Sequence, residues 1–467
     1  MPSLHPRRWW ALAALLTAEA MNLLDATVVQ VAAPRMHADL GGPAAAVPWL
    51  TSAYTLPFAV LLLTGGRLGD RYGRRRLFRA GVVGFALASL ACACAPALGA
   101  LLVFRAVQGA AAAVIVPQTI GLVKAMFRGP ETGRALGTIG PVMGLAAVAG
   151  PVLGGVLTHA DLFGSSWRSV FLVNLPLSAA VLALAPLLVE DRAPHRPGLD
   201  PTGGALAALA TGLLVLPLLR TGGLTDRTAL AEAAAGALLA LGFAAHQRRG
   251  ARRGADTLVE ASLFASVRFP AALTALAAAF AATTGLTVVV VLQLQLSSGA
   301  DALASGLTLL PMSAGLGAGS LWAGARLLPR FGARLMPAGL AVLAGGLLAI
   351  VGAYATGERP AALPVALAVV GLGQGLFTPA FFTTALAPLR PEEIGSAAGL
   401  LNAVQQLGAT LGVAALGRAH LAEPNAAGAR TACWIALGAV LLAGAAVRWM
   451  TAESEPRQGL QEPTHAR

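Results

Sequence analysis

The chain has 467 residues, of which 56% are hydrophobic and only 12% are charged, and its mean hydropathy is +0.71. Soluble domains carry about a quarter charged residues, so this composition excludes an ordinary soluble protein and predicts an integral membrane protein with many spans. The formal net charge of +12 would suggest nucleic-acid binding in a soluble chain. Here the arginines cluster in short loops between apolar runs, which the topology rule for membrane proteins explains, so we expect no nucleic-acid partner.

Apolar runs long enough to cross a bilayer recur along the chain and predict an all-α fold with about fourteen transmembrane helices. Arginine-rich connections follow the even-numbered runs, so both termini are expected to be cytoplasmic. The first apolar run has no small-residue cleavage site after it and should remain as the first span.

Sequence echoes between the two ends of the chain predict two similar six-helix bundles. The segment 66–76 is echoed at 324–334, and Gln108-Gly109 is echoed by Gln374-Gly375, although Gly371 stands where Arg105 stood. The predicted domains are an N-terminal six-helix bundle at 1–190, a linker with two extra transmembrane helices at 191–262, a C-terminal six-helix bundle at 263–450 and a cytoplasmic tail at 451–467.

A short basic segment, Gly66-Arg-Leu-Gly-Asp-Arg-Tyr-Gly-Arg-Arg-Arg76, joins the second and third apolar runs. Its charges cannot lie in hydrocarbon, so it is expected at a membrane face, and its arginine content favours the cytoplasmic face. Asp70 is either a latch that pairs across the bundle interface in one access state or an ordinary turn aspartate. We favour the latch, because glycines flank Asp70 and the echoed segment has Pro329 in its place.

Ionisable side chains inside the spans are functional candidates, because they are rare and costly in a membrane. Glu19, Asn22 and Asp25 recur at three-residue spacing and form one polar strip on the first span. Arg105 and Gln108 share a face of the fourth span. Burial favours the protonated form of a carboxyl group, whereas a nearby guanidinium favours the ionised form, so separating the two would couple movement to proton binding. The alternatives for Asp25 are a structural hydrogen bond or a position among the headgroups at the end of the span, and the alternative for Arg105 is a static ion pair.

Other polar and small residues in the spans permit two readings each. The segment Gly150-Pro-Val-Leu-Gly-Gly155 allows bending and close helix packing, although ordinary glycine-rich packing explains it equally well. Several amide side chains could line a substrate cavity or form hydrogen bonds between helices. These cavity candidates are Asn22, Gln108, Gln293, Gln374, Asn402 and Gln405.

Several segments, in chain order, resemble one known family. They are Leu24-Asp-Ala-Thr-Val-Val-Gln-Val-Ala-Ala-Pro34, Trp49-Leu-Thr-Ser-Ala-Tyr54, the segment 66–76, Arg105-x-x-Gln-Gly109, Gly150-Pro-x-x-Gly-Gly155 and Trp167-Arg-x-x-Phe-x-x-Asn-x-Pro176. Together they resemble the fourteen-span drug:proton antiporters of the major facilitator superfamily, which act in multidrug and antibiotic efflux. The resemblance implies two bundles that rock about a central cavity, with proton entry driving export.

The resemblance also implies roles for particular residues. It implies that Asp25 and Arg105 couple proton movement to transport, while Glu19 is an additional acid without a family role that leaves the proton stoichiometry open. It implies a gating loop that contains Gly66, Asp70, Arg71, Gly73 and Arg74, and an antiporter motif made of Gly150, Pro151, Gly154 and Gly155.

The sequence therefore predicts a secondary active transporter of the inner (plasma) membrane, functional as a monomer, that exports drug-like or antibiotic molecules in exchange for protons. The alternatives are a proton-coupled importer of a small nutrient or metabolite and a non-transporting membrane sensor. No metal cluster, nucleophile motif or phosphate-binding loop appears in the sequence, so we expect neither an enzyme nor a metal site. The expected energy source is the proton motive force without a cofactor, and the expected partners are a small-molecule substrate, protons and the lipid bilayer.

Overall fold

The computed structural model describes residues 7–42, 46–127, 131, 135, 138–161, 164–190, 198, 200–219, 227–255, 257–264, 266–355 and 362–452. These residues are almost entirely helical, and no strand occurs among them. Long apolar sequences favour this outcome, because a helix satisfies its backbone hydrogen bonds internally and can therefore lie in lipid. The predicted all-α, multi-pass membrane architecture is confirmed.

The helices before residue 190 follow the predicted spans. They are α1 (Arg8–Leu40), α2 (Val47–Tyr72), α3 (Arg74–Ala93), α4 (Leu98–Met126), α5 (Ile139–His159) and α6 (Ser166–Leu187). Helix α2 bends by 52° between Val47–Leu62 and Thr64–Tyr72. Helix α6 is a series of short α-helical and 3-10 segments.

The helices after residue 200 are α7 (Pro201–Leu219), α8 (Arg227–Arg252), α9 (Arg268–Leu292), α10 (Ala302–Trp322), α11 (Leu335–Ala355), α12 (Ala362–Leu386), α13 (Pro391–Ala422) and α14 (Ala426–Ala452). A π-helical turn at Gln293–Ser297 extends α9, and another at Ala323–Leu327 extends α10.

The number of helices that satisfy a strict criterion for membrane spans is smaller than the number predicted. Within the described ranges, ten helices are long and apolar enough to cross a membrane, or eleven if the bent pair in α2 is counted as one span. This count treats Ala302–Ala355 as one helix, and the apolar part of α7, Pro201–Pro217, is too short to enter it. The predicted count of fourteen is therefore not confirmed.

Buried apolar side chains of the described residues form three large clusters. The largest is built mainly from α9 to α14 and includes Leu258, Val259 and Leu263 from the connection before α9. The second is built mainly from α1, α2, α3, α4 and α6, with Phe78 and Phe85 among its completely buried side chains. The third joins α1, α2, α3, α4 and α6 to α9 and α13. Helix α5 contributes few large side chains and makes contacts of another kind, through glycine.

Helices α7 and α8 form a hairpin that contacts both α2 and α13. Val215 of α7 and Ala414 of α13 are buried together beside Trp49 of α2. The connection after α8 is attached to the end of α2, because Arg67 Nη2 donates a hydrogen bond to the Thr257 carbonyl oxygen at 2.8 Å. The hairpin therefore contacts one helix from the first half of the chain, α2, and one from the second half, α13.

Helices α10 and α12 approach each other closely at Gly371. A Cβ atom added at Gly371 would lie 1.8 Å from the Met312 carbonyl oxygen, which is closer than any stable contact. The echoed position in the first half of the sequence is Arg105. The two copies of the sequence thus use this position differently, for backbone packing in one and for a charged side chain in the other.

We expect Gly371→Ala to lower the thermal unfolding midpoint of the detergent-purified protein. The added methyl group would force α10 and α12 apart, and overpacking of this kind costs about 1–3 kcal/mol. Gly444→Ala in α14 is the matched control, because nothing lies within 4 Å of a Cβ atom added there. Equal unfolding midpoints for the two variants and the parent protein would contradict the close approach.

Candidate functional site

A buried ion pair lies between α1 and α4. The side chains of Asp25 and Arg105 are both inaccessible to solvent, and Arg105 Nη1 donates a hydrogen bond to Asp25 Oδ2. Arg105 Nε donates a second hydrogen bond, at 3.2 Å, to the carbonyl oxygen of Leu50 in α2. The structure therefore brings into direct contact the acid and the arginine that the sequence analysis selected.

Two amide side chains hold the other oxygen of the same carboxylate. Asp25 Oδ1 accepts hydrogen bonds from Gln108 Nε2 at 2.8 Å and from Asn174 Nδ2 at 2.7 Å. Both amides also donate to the Ser89 hydroxyl, at 2.8 and 3.3 Å. Gln108 Oε1 in turn accepts a hydrogen bond from Arg105 Nη1 at 2.7 Å. Side chains of α4 and α6 thus donate hydrogen bonds to the carboxylate on α1, and the Ser89 hydroxyl of α3 connects the two amides.

Aromatic rings lie against the guanidinium group. Arg105 Cζ is 4.4 Å from the centroid of the Tyr54 ring and 5.8 Å from that of Phe171. A desolvated cation–π contact contributes about 2 kcal/mol, which offsets part of the cost of burying the charge. Among the described residues, neither Arg105 Nη2 nor the Tyr54 hydroxyl has a hydrogen-bond partner. Both groups therefore retain hydrogen-bonding capacity at the ion pair.

The polar strip on α1 continues away from the ion pair. Glu19 and Asn22 are 9% and 5% exposed, and the Glu19 carboxyl group faces Thr119 of α4. Within the described part of the chain, neither polar atom of the Asn22 side chain has a hydrogen-bond partner. The helical rise places Glu19 about 9 Å from Asp25 along the axis. The strip predicted from the sequence thus lies inside the protein, with one acid at each end.

The other cavity candidates have varied environments. Gln108 belongs to the network around Asp25, and Gln293 is buried in the π-helical turn after α9. Asn402 is half-buried and donates to a backbone carbonyl group of its own helix at 3.1 Å. Gln374 and Gln405 are half-buried on α12 and α13. Only Gln108 and Asn22 are thereby placed beside the two acids.

The gating loop is shorter than the sequence suggested. Helix α2 continues to Tyr72 and α3 begins at Arg74, so the turn is Gly73 alone, whose φ of 99° favours glycine. Asp70 Oδ1 accepts hydrogen bonds from Arg74 Nη2 at 2.8 Å and from Arg74 Nε at 3.2 Å. Arg71 Cζ lies 5.7 Å from the ring centroid of the adjacent Tyr72. Asp70 thus pairs inside its own loop, and a latch across the bundle interface stays a prediction.

Glycines pack α2 against α4 next to this loop. A Cβ atom added at Gly69 would lie 1.8 Å from Gln118 Oε1, whereas one added at Gly66 would make an ordinary contact with Pro117. Gln118 Nε2 donates a hydrogen bond to the Gly65 carbonyl oxygen at 2.8 Å. The loop is therefore attached to α4 through glycine contacts and the Gln118 hydrogen bond, and the Arg74 side chain also lies against Gly121 of α4.

The antiporter motif packs α5 against two helices at once. A Cβ atom added at Gly150 or Gly154 would overlap α1, and one added at Gly155 would lie 2.8 Å from the backbone of α10. From the other side, a Cβ atom added at Gly306 of α10 would lie 2.3 Å from the Pro151 carbonyl oxygen. The motif thus permits backbone contact between a helix before the linker and a helix after it.

Polar contacts accompany this packing at the same end of the helices. His159 Nδ1 lies 3.5 Å from Asp301 Oδ2, where α5 ends and α10 begins. Gln295 Nε2 donates a hydrogen bond to the Val31 carbonyl oxygen at 2.8 Å. If successive helices cross the membrane in alternate directions, these contacts lie at the face opposite the gating loop. At that face, helices from the first half of the chain therefore contact helices from the second half.

Four residues of the Asp25 site were not assigned a role from the sequence. Asn174, Tyr54 and Phe171 appeared only as parts of matched segments, and Ser89 was not singled out. Asn174 offered a signal, since a lone amide in an apolar span needs a partner. Ser89 offered none, because a serine can bond to the backbone of its own helix without any partner.

A buried carboxylate–guanidinium pair within a multi-pass helical bundle is the construction expected of a secondary transporter. Comparison with known proteins identifies the family. The model of the Major Facilitator Superfamily matches residues 15–413, and the chain belongs to this superfamily.

Curated relatives cover most of the chain. A probable actinorhodin transporter of Streptomyces coelicolor is 44% identical over 89% of this chain and 73% of its own length. A puromycin resistance protein of Streptomyces alboniger is 34% identical over 88% of this chain and 81% of its own length. A tetracenomycin C resistance and export protein of Streptomyces glaucescens is 32% identical over 89% of this chain and 76% of its own length.

Solved structures share the fold. An auto-inhibited POT family peptide transporter superposes with a TM-score of 0.67 at 17% identity, covering 98% of this chain and 99% of its own. A D-xylose-proton symporter superposes with a TM-score of 0.66 at 12% identity, and the match covers 95% of this chain and 97% of the symporter. At these identities the similarity concerns the fold alone.

We expect Asn174→Ala to destabilise the protein by about 1.5–3 kcal/mol, because it removes a hydrogen bond to a buried carboxylate. The change should appear as a lower unfolding midpoint of the purified protein. Asn402→Ala is the matched control, since that amide donates to its own helix. An Asn174→Ala midpoint equal to that of the control would show that the amide does not stabilise the ionised Asp25.

Proposed function

We propose that the chain is a secondary active transporter that exports drug-like or antibiotic molecules in exchange for protons by alternating access. The observation that carries this proposal is the buried Asp25–Arg105 ion pair in a major facilitator fold. The relatives named for actinorhodin, puromycin and tetracenomycin C support export and an antibiotic-like substrate. We propose neither an enzymatic activity nor a bound cofactor.

The proposed architecture has fourteen spans, one for each of α1 to α14. Residues 1–190 and 263–450 form the two bundles, 191–262 the linker with its hairpin, and 451–467 a tail. The 54-residue stretch Ala302–Ala355 would be about 80 Å long as one straight helix, far more than a bilayer requires. The basic residues Arg326, Arg330 and Arg334 lie inside this stretch. Their charge supports two spans that meet at a membrane face.

Proton coupling is proposed to depend on competition for the Asp25 carboxylate. In the structure, Arg105, Gln108 and Asn174 all donate hydrogen bonds to that carboxylate. Movement of α1 away from α4 would remove these donors while the site stays shielded from water, and the acid would then take up a proton. Return of the guanidinium would expel the proton. Glu19 is proposed as a second proton-binding group on the same strip.

The proposed energy source is the proton motive force. A charge that crosses 100 mV supplies about 2.3 kcal/mol, which can drive outward movement of a substrate. The protein is proposed to lie in the inner (plasma) membrane, with both termini and the gating loop in the cytoplasm. Because one chain supplies every described residue of the Asp25 site, we propose that the monomer is functional.

Alternating access is proposed to use the two glycine-containing regions in turn. The contact of α5 with α10 closes one face in the structure, where Gly155 and Gly306 place the backbones together. When this contact opens, the opposite face must close, and Asp70 would then exchange Arg74 for a partner across the bundle interface. The ion pair lies between the two faces and biases the exchange through its protonation state.

We expect Asp25→Asn to abolish proton-coupled export by proteoliposomes with an imposed pH gradient, because asparagine cannot exchange a proton. The exposed Glu423→Gln supplies a matched loss of one carboxylate and should export normally. The double variant Asp25→Asn/Arg105→Gln removes both buried charges, so it separates loss of coupling from the cost of an unpaired arginine. Normal gradient-driven export by Asp25→Asn would remove this acid from the mechanism.

We expect Gly155→Val to slow transport by roughly tenfold or more, because the side chain would separate α5 from α10 at a cost of about 1–3 kcal/mol to the closed face. The initial export rate of reconstituted protein is the measurement. Gly438→Val in α14 is the control, since nothing lies within 4 Å of a Cβ atom added there. A rate for Gly155→Val within twofold of the control would show that this contact takes no part in the cycle.

A further inference from the structure

A groove on the side of the helical assembly lies between α3 and the end of α6. It has a volume of about 900 Å³. Its charged end is formed by Arg75, Arg76 and Arg79, with Glu190 near them, and its apolar part by Ala80, Val83, Gly84, Leu87 and Leu182. These arginines belong neither to the Asp25 site nor to the Asp70–Arg74 pair, so the transport mechanism leaves them without a role.

The length of the groove along α3 matches the hydrocarbon part of one leaflet of a bilayer. Its α3 residues recur every three or four positions and therefore lie on one face of the helix. From Arg76 to Leu87 the helical rise covers about 16 Å, which is close to half of the hydrocarbon thickness of a bilayer. The arginines come at the start of α3, next to the turn at Gly73 and hence at a membrane face. The apolar part then extends to about the middle of the membrane.

The charge of the groove matches an anionic headgroup. Three arginines and one glutamate line the groove, so its charged end carries a net positive charge. Guanidinium groups bind phosphate oxygens in bidentate fashion, and the first turn of α3 adds the positive end of a helix dipole. Basic pockets between membrane helices at a headgroup surface are suited to acidic phospholipids.

The apolar part is open to lipid. Val83 and Leu87 are 42% and 62% exposed, unlike Phe78 and Phe85 on the buried side of the same helix. An acyl chain that lies along Val83 and Leu87 would be continuous with a phosphate group held by the arginines. The two halves of the groove thus suit the two chemical parts of one molecule.

We propose that this groove binds an anionic glycerophospholipid, with its phosphate group on Arg75, Arg76 and Arg79 and an acyl chain along Val83 and Leu87. The lipid occupies the leaflet at the membrane face that carries the gating loop. Its headgroup contacts the first turn of α3 directly after Gly73, so it steadies the junction between α2 and α3. This site does not depend on the direction of transport or on its coupling ion.

The test is native mass spectrometry of the purified full-length protein with phosphatidylglycerol, phosphatidylethanolamine and phosphatidylcholine in turn, paired with unfolding midpoints. We expect one phosphatidylglycerol molecule to bind at least tenfold more tightly than either zwitterionic lipid and to raise the midpoint. The variant Arg75→Gln/Arg76→Gln/Arg79→Gln should lose this preference. Leu87→Trp keeps the charges but obstructs the apolar part, and it should also weaken retention.

The matched control is Arg326→Gln/Arg330→Gln/Arg334→Gln, which removes the same charge from the echoed segment and should keep the preference. Single Arg79→Gln, with an intermediate loss expected, serves if the triple groove variant does not fold. Equal binding of all three lipids, or an equal loss in the control, would overturn the proposal in favour of general surface attraction. No arm measures transport, so the result stands apart from the proposed export function.

Discussion

The structure depends on the contact between one buried carboxylate and one buried guanidinium group. Isolating either charge in a low-dielectric environment costs several kcal/mol, and the cost is reduced only if the partner and further hydrogen bonds are in place. Asp25 has Arg105, Gln108 and Asn174 as donors, and Arg105 has the Tyr54 ring against its face. Because these groups come from α1, α2, α4 and α6, separation of those helices would break the contacts that surround the buried pair.

Movement that separates the two charges of such a pair is costly, because each charge is then buried without its partner. Neutral amides around Asp25 add hydrogen bonds without adding a second fixed charge, so the arginine remains the main electrostatic partner of the acid. Among the residues that the structure describes, Arg105 Nη2 and the Tyr54 hydroxyl have no hydrogen-bond partner, so both could form new hydrogen bonds without breaking an existing one. A purely structural ion pair would gain nothing from such unused groups, each of which carries a desolvation cost.

Close packing through glycine complements the ion pair. Backbone contacts at Gly155 and Gly306 join α5 and α10 without interlocking large side chains. Contacts between small residues allow membrane helices to pack closely through van der Waals contacts. Polar contacts therefore hold α1, α4 and α6 together around Asp25, and glycines bring the backbones of α5 and α10 into contact.

Much of the site could be predicted from the sequence, because ionisable residues in apolar runs have few explanations. Asp25 and Arg105 were found in this way, whereas the glycines of the antiporter motif were implied by the family resemblance. Ser89 could not be, since a hydroxyl group in a membrane helix has many ordinary uses. The single-residue turn at Gly73 was also missed, because hydropathy shows where charge begins but not where a helix ends. The span count depended on α7 and on the break after α10, where apolar length alone is ambiguous.

The most direct measurement is the number of protons released when a compound that the protein has been shown to export binds to the purified protein in a weakly buffered detergent solution. The account predicts release of about one proton per molecule bound to the parent protein, and none from the Asp25→Asn variant. Binding of that compound to the parent protein without any proton exchange, from acidic to alkaline pH, would contradict the central role of the Asp25–Arg105 pair.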